Sequence, residues 1–172
     1  NGTFDWAYEE ELDCRDGFRW SPDSKKIAFW QLDSKGTGTF YLINNIDSIY
    51  PKIIPLPYPK VGTANSSAKI GSITLEDKKI TWMDIPGDPK NHYLARMDWA
   101  NSSDELIIQQ LNREQNTNKV YFANSATGSS KVGYTEKVET WLDVYDNLIW
   151  LNNGKEFTWL SYNSGWLHLC RV

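Results

Sequence analysis

The chain has 172 residues, enough for one ordinary domain with a sizeable core, and carries a formal net charge of −4. An acidic balance argues against the basic face that nucleic-acid binding needs, so no nucleic-acid partner is expected. No apolar run approaches the roughly 18–20 residues that span a bilayer as a helix, while nine Trp, nine Tyr and six Phe, among β-branched residues and Asn/Asp/Gly/Ser turns, favour strands.

In chain order, residues 3–12 (TFDWAYEEEL) break the strand pattern. Asp5 can cap a helix, and acidic residues in the opening turns suit the positive end of its dipole, which predicts one or two helical turns. A hairpin follows, Trp20-Ser-Pro-Asp-Ser-Lys-Lys-Ile27 running on to Phe29-Trp30. Asp33–Gly38 reads as a hairpin loop, since it lacks the spacing of a phosphate-binding loop. Residues 50–62 hold four prolines within nine positions. Proline donates no ladder hydrogen bond, so this segment is expected to be an extended edge or a surface arm. Ile73–Trp82, Trp99–Ile108 and Trp150–Trp159 repeat the first hairpin: an aromatic or aliphatic residue, a polar turn, then a short apolar strand. Further turns fall at Asn116-Thr-Asn118, between Leu106–Leu111 and Lys119–Ala123, and at Ala126–Ser130. Recurrence of this unit points to an all-β fold of propeller type, although the uneven spacing also suits a β-sandwich. At about 40–50 residues per blade the chain supplies three to four antiparallel blades, so a partial β-propeller is expected over residues 1–172. Most of the tryptophans are expected in the blade core.

Glu9-Glu10-Glu11 is the main chemical candidate. Two carboxylates about 4 Å apart repel by roughly 4 kcal/mol at an effective dielectric near 20. That is tolerable if they face water or if a cation sits between them. Neighbours on a strand face opposite sides, but on a short helix they can converge. An ammonium, with three donors and one charge, suits such a pair; a solvated helix face is the alternative. His92 and His168 lie far apart without ligand spacing and read as structural. Cys14 and Cys170 fit either two buried thiols or a long-range disulfide. Asn1-Gly-Thr, Asn65-Ser-Ser and Asn101-Ser-Ser match a glycosylation sequon too common to decide anything. No Gly-x-Ser-x-Gly nucleophile elbow occurs, and no metal or cofactor is expected.

Asp5-Trp-Ala-Tyr-Glu-Glu-Glu11 resembles the Asp-Trp-x-Tyr-Glu-Glu-Glu signature of the dipeptidyl peptidase IV subfamily of prolyl oligopeptidases. Trp20-Ser-Pro, Tyr50-Pro-Lys, Pro57-Tyr-Pro-Lys-x-Gly-x-x-Asn65, His92-Tyr-Leu, Trp99-Ala, Gln109-Gln-Leu-Asn-Arg113-x-Gln-Asn116 and Ser161-x-x-x-Gly-Trp166-x-His168 follow in the same order. The resemblance implies an N-terminal propeller joined covalently to a C-terminal α/β-hydrolase domain with a Ser-Asp-His triad. The parent would release N-terminal dipeptides, usually after Pro or Ala, from a periplasmic, secreted or membrane-anchored position. It also implies that Glu10 and Glu11 hold the free α-amine of a peptide N-terminus, with no direct role for Glu9 and with Tyr145 as a loose match for a supporting aromatic. Without elbow or triad the 172 residues supply substrate selection and no catalysis. A non-catalytic peptide- or protein-binding propeller is the alternative, and a Trp-rich carbohydrate-binding domain a third reading. Unpaired strand edges predict self-association into a homo-oligomer.

Overall fold

The computed structural model describes residues 1–146 and 148–172. Strands β1 (Phe18–Trp20), β2 (Lys26–Asp33), β5 (Ser67–Thr74) and β6 (Ile80–Trp82) form one sheet in the order β1-β2-β5-β6. Between β2 and β5 the chain leaves to build a separate two-stranded arm from β3 (Thr39–Asn44) and β4 (Lys52–Pro57). The second sheet is an up-and-down meander of β7 (His92–Trp99), β8 (Glu105–Asn112), β9 (Thr117–Asn124) and β10 (Ser130–Lys137). A third joins β11 (Trp150–Leu151), β12 (Glu156–Ser161) and β13 (His168–Arg171). All described pairings are antiparallel. Four-stranded antiparallel sheets, as the first two are, are the units that propellers repeat, while the third sheet has three described strands.

The turns form where the polar clusters stand. Between β1 and β2, Ser21 Oγ donates to Asp23 Oδ1 at 2.7 Å and accepts from Lys26 N at 2.9 Å. These side chains satisfy turn groups that the ladder cannot reach. The predicted hairpins at 73–82, 99–108, 106–123, 126–130 and 150–159 are all present.

Strand β8 explains why simple alternation fails in the centre. Leu106 and Ile108 enter a core shared with Ala28, Trp30 and Ile70 of the first sheet. Ile107 enters a second core with Val120, Phe157 and Trp159, against the third sheet. A strand covered on both faces reads as a continuous apolar run, and each such side chain contributes roughly 1.5–3 kcal/mol by leaving water. Polar groups lock the sheets together. Trp30 Nε1 donates to Leu94 O at 2.9 Å, and Lys26 Nζ to Ser103 O and Ser125 Oγ, both at 2.9 Å. Between the second and third sheets the buried Glu136 carboxylate accepts from Tyr134 Oη at 2.6 Å, Tyr162 N at 2.8 Å and Ser161 Oγ at 2.9 Å.

Lys52–Pro57 of the proline-rich segment forms the returning strand of the arm. Both arm strands are edges, so Pro55 and Pro57 withhold hydrogen bonds that no neighbour requires. The arm exposes Tyr41, Ile43, Ile46, Ile49, Tyr50 and Ile53. The tryptophans depart from expectation. Trp30, Trp99 and Trp159 are buried, but Trp6, Trp20, Trp82, Trp141 and Trp166 are exposed. The exposed ones sit on three-residue strands at sheet edges, in connections, or beside the N-terminal turn, where no second layer covers them.

Candidate functional site

The N-terminal helix is shorter and wider than an α-helix: one five-residue π-turn, Ala7–Glu11. Asp5 Oδ1 accepts from Tyr8 N at 3.0 Å, as its capping role requires. Two side chains four residues apart, Tyr8 and Leu12, point inward and are 1% and 4% exposed. That leaves Glu9, Glu10 and Glu11 on the outer side, all exposed. Asp13, at φ 52, turns the chain out of the helix in the left-handed region.

The anchor under this turn is strand β7. Leu94 N donates to Tyr8 Oη at 3.0 Å. Burial, the largest influence, pushes the Tyr8 phenol well above its ordinary range, so it stays neutral. The pairing of β7 with β8 slips between Leu94 and Arg96, leaving a bulge at Ala95. A bulge frees a residue from the ladder and re-aims its neighbours. Here Ala95 O accepts from Cys14 Sγ at 3.4 Å and from an Arg96 Nη1 donor at 2.7 Å. The same Arg96 nitrogen donates to Leu12 O at 2.6 Å, and Arg96 Nε pairs with Asp146. Phe4 stacks on Tyr8 at 5.9 Å and meets Trp30 edge-on at 5.4 Å. A methyl group on Gly17 would lie 2.4 Å from Gly2 C, so only glycine lets Gly2 pass so close there.

Trp6 packs against Tyr58 with centroids 5.6 Å apart, and Tyr58 against Phe40 at 5.4 Å. The Asp-Trp-x-Tyr and Pro-Tyr-Pro-Lys motifs, about fifty positions apart in sequence, therefore meet at the base of the arm.

Glu10 and Glu11 do not share a partner. Arg15 Nη1 lies 2.9 Å from Glu9 Oε1 and 3.3 Å from Glu10 Oε1, while Arg15 Nε lies 3.1 Å from Asp13 Oδ1. The hydrogen bond to Asp13, then the charge of Glu10, hold the guanidinium pKa above its ordinary value. Glu11 has no hydrogen-bond or ion-pair partner among the described residues and faces a cleft of about 470 Å³ lined also by Trp141, Asp143 and Arg96. Tyr145 lies in a neighbouring cavity of about 440 Å³ with Arg19, Trp99 and Trp150. Its hydroxyl is 3.0 Å from that of Tyr162, which raises its pKa to about 12, with desolvation adding to the effect.

Arg15, which motif reading missed, is the cation that the structure brings to these carboxylates. Its signal was an arginine closely following the acidic run, across a turn tight enough to fold it back. The remaining candidates lie apart from these carboxylates. His92 is buried, with Nδ1 3.1 Å from Gln110 Nε2, and His168 is exposed on β13. Both cysteines are free thiols, Cys14 buried and Cys170 half-buried. Among the described residues no group of three or more His, Cys, Asp or Glu side chains is placed to hold a metal ion.

The family model described as the dipeptidyl peptidase IV (DPP IV) N-terminal region matches residues 1–172. Probable dipeptidyl peptidase 4 of Emericella nidulans is 31% identical, over 98% of this chain and 24% of its own length. Inactive dipeptidyl peptidase 10 of Mus musculus is 32% identical, over 83% of this chain and 18% of its own. The crystal structure of Porphyromonas gingivalis dipeptidyl peptidase 4 superposes with a TM-score of 0.91 at 26% identity, covering 99% of this chain and 24% of that one. The chain thus spans about a quarter of the length of such relatives.

Proposed function

Because the chain belongs to the dipeptidyl peptidase IV N-terminal region family, we propose that Glu10 and Glu11 bind the free α-ammonium of a peptide and so select substrates for a hydrolase domain joined to it in the parent protein. The observation that carries this reading is the anchoring of the π-turn. Tyr8 and Leu12 are buried beneath it and Arg96 grips the carbonyl of Leu12 just after it, while the carboxylates stay in water. A fixed base with exposed charges suits a recognition site for a small cation, because little backbone ordering remains to be done on binding. In the parent, an amine held here lets only a short stretch of peptide reach the nucleophile. The residues of this chain then orient the substrate and take no part in bond cleavage. An extracytoplasmic location belongs to the same reading.

The test is a titration of the 172-residue chain with Ala-Pro amide and with its N-acetyl derivative, followed by NMR. We expect the free amine to shift the backbone signals of residues 8–16 and the acetylated peptide to leave them unmoved. Glu10→Gln and Glu11→Gln should each weaken binding, and in the parent should lower kcat/KM. Equal binding of both peptides would end the amine-site reading.

The similarity to mouse inactive dipeptidyl peptidase 10 favours a second reading, in which the parent binds peptides or proteins without cleaving them. A Gly-x-Ser-x-Gly elbow in the coding sequence downstream would decide for the peptidase.

A further inference from the structure

We propose that Arg15 is the resident counter-cation of the glutamate site, which an incoming ammonium displaces from Glu10, so that Arg15 sets how tightly the site holds a free amine. This rests on the amine-site reading above.

The argument starts from charge. Glu9, Glu10, Glu11 and Asp13 stand within five positions, and unopposed carboxylates at such spacing repel one another. Arg15 bridges three of them, with contacts of 2.9 Å to Glu9, 3.1 Å to Asp13 and 3.3 Å to Glu10. The Glu10 contact is the longest, and it shares Nη1 with the shorter contact to Glu9. Glu10 can therefore be released while Glu9 and Asp13 still hold the guanidinium. This gives Glu9 a task distinct from ligand binding: it parks the cation.

Ligand chemistry fits the same division. A planar guanidinium presents its donors in a fixed fork, whereas an ammonium directs three donors in a tetrahedral array. An ammonium can bridge Glu10 to Glu11, which Arg15 does not reach. Displacement is cheap because the side chains are open to water: Arg15 is 55% exposed and Glu10 43%. Exposed pairs of this kind contribute little. Competition by Arg15 should thus cost a ligand about two- to fivefold in affinity. Binding exchanges one cation for another at Glu10, and a neutral N-acetyl group cannot drive that exchange.

The experiment compares the 172-residue chain with Arg15→Ala, Glu10→Gln and the double variant, each titrated with Ala-Pro amide. Arg15 is on the surface, and an unchanged NMR dispersion verifies each fold. We expect Arg15→Ala to lower the Kd about two- to fivefold, and the gain to disappear in the Glu10→Gln background. The Arg15 Nη–H signals of the unsubstituted 172-residue chain should move as the peptide saturates. An Arg15→Ala variant that binds no better, while Glu10→Gln still weakens binding, overturns the Arg15 proposal and leaves the amine site standing. A gain of the same size with and without the Glu10→Gln change overturns it too, since the effect would be general charge. If Glu10→Gln and Glu11→Gln both bind like the parent, the amine-site reading falls and Arg15 with it.

Discussion

Tyr8→Phe removes one oxygen from the least accessible part of the site, and its cost can be worked from the contacts. The hydroxyl accepts the hydrogen bond of Leu94 N at 3.0 Å, and Tyr8 and Leu94 are each 1% exposed. Leu94 lies beside the Ala95 bulge, where the ladder to β8 is interrupted. Deleting the acceptor leaves a buried backbone N–H unpaired, which costs about 1–3 kcal/mol. The ring remains, so contacts to Phe4 and Tyr93 persist and no cavity term is added. A loss of about 2 kcal/mol, with a urea m-value of about 2–3 kcal/mol/M, lowers the midpoint by about 0.7–1 M. In a chain of this size it lowers Tm by about 4–8 °C. The assay is urea denaturation followed by Trp fluorescence, with the m-value as control. Because the glutamates ride on the same turn, amide exchange of residues 8–12 should also quicken more than that of β8. A midpoint shift below about 0.2 M would refute the reasoning, since it would mean that Leu94 N–H finds another acceptor when the hydroxyl is gone.

Burial holds the His92 pKa below its ordinary value of 6.5. The unfolded chain therefore binds the proton more readily, and stability should decline as pH falls through 6.5 towards the folded-state value. Thermal unfolding between about pH 5 and 8 should show this component, and His92→Gln should flatten it. Burial likewise pushes the Cys14 thiol up to about 11, while Cys170 is half-buried. An aromatic disulfide reagent should label Cys170 first, Cys14 only as the chain unfolds, and Cys170→Ser should abolish the fast phase. The arm carries Ile46 and Ile49 at 91% and 96% exposure, so light scattering should show concentration-dependent self-association that Ile46→Glu with Ile49→Glu reduces.

What the sequence disclosed divides along the range of the interactions involved. Hairpins are local: Ser21, Asp23 and Lys26 satisfy their own turn within six residues, so the pattern of polar clusters between apolar runs placed them correctly. The arm was legible for the same reason, since proline limits its own position in a ladder. Burial of tryptophan was not, because it depends on which strand gains a neighbouring layer. Trp30 and Trp20 sit on paired strands of one hairpin, yet Trp30 is 2% exposed and Trp20 53%. Nothing local to either residue reports that β7 covers one and leaves the other. The buried Glu136 is a similar case: its partners Ser161 and Tyr162 lie 25 and 26 positions away.

The glutamate site joins both kinds of information. Three consecutive carboxylates mark a place where charge is either solvated or used, and spacing alone does not choose between the two. What the fold adds is a fixed base beneath the charges. This turn of five residues is held by a buried tyrosine, by a leucine and by an arginine from 84 positions away. Such anchoring has a cost in specialised packing: a bulge at Ala95 and a glycine at 17 that tolerates no side chain. The foundation holds in place the turn that carries Glu10 and Glu11, so under the proposed amine-site reading disrupting it through Tyr8 should weaken amine binding without touching a carboxylate.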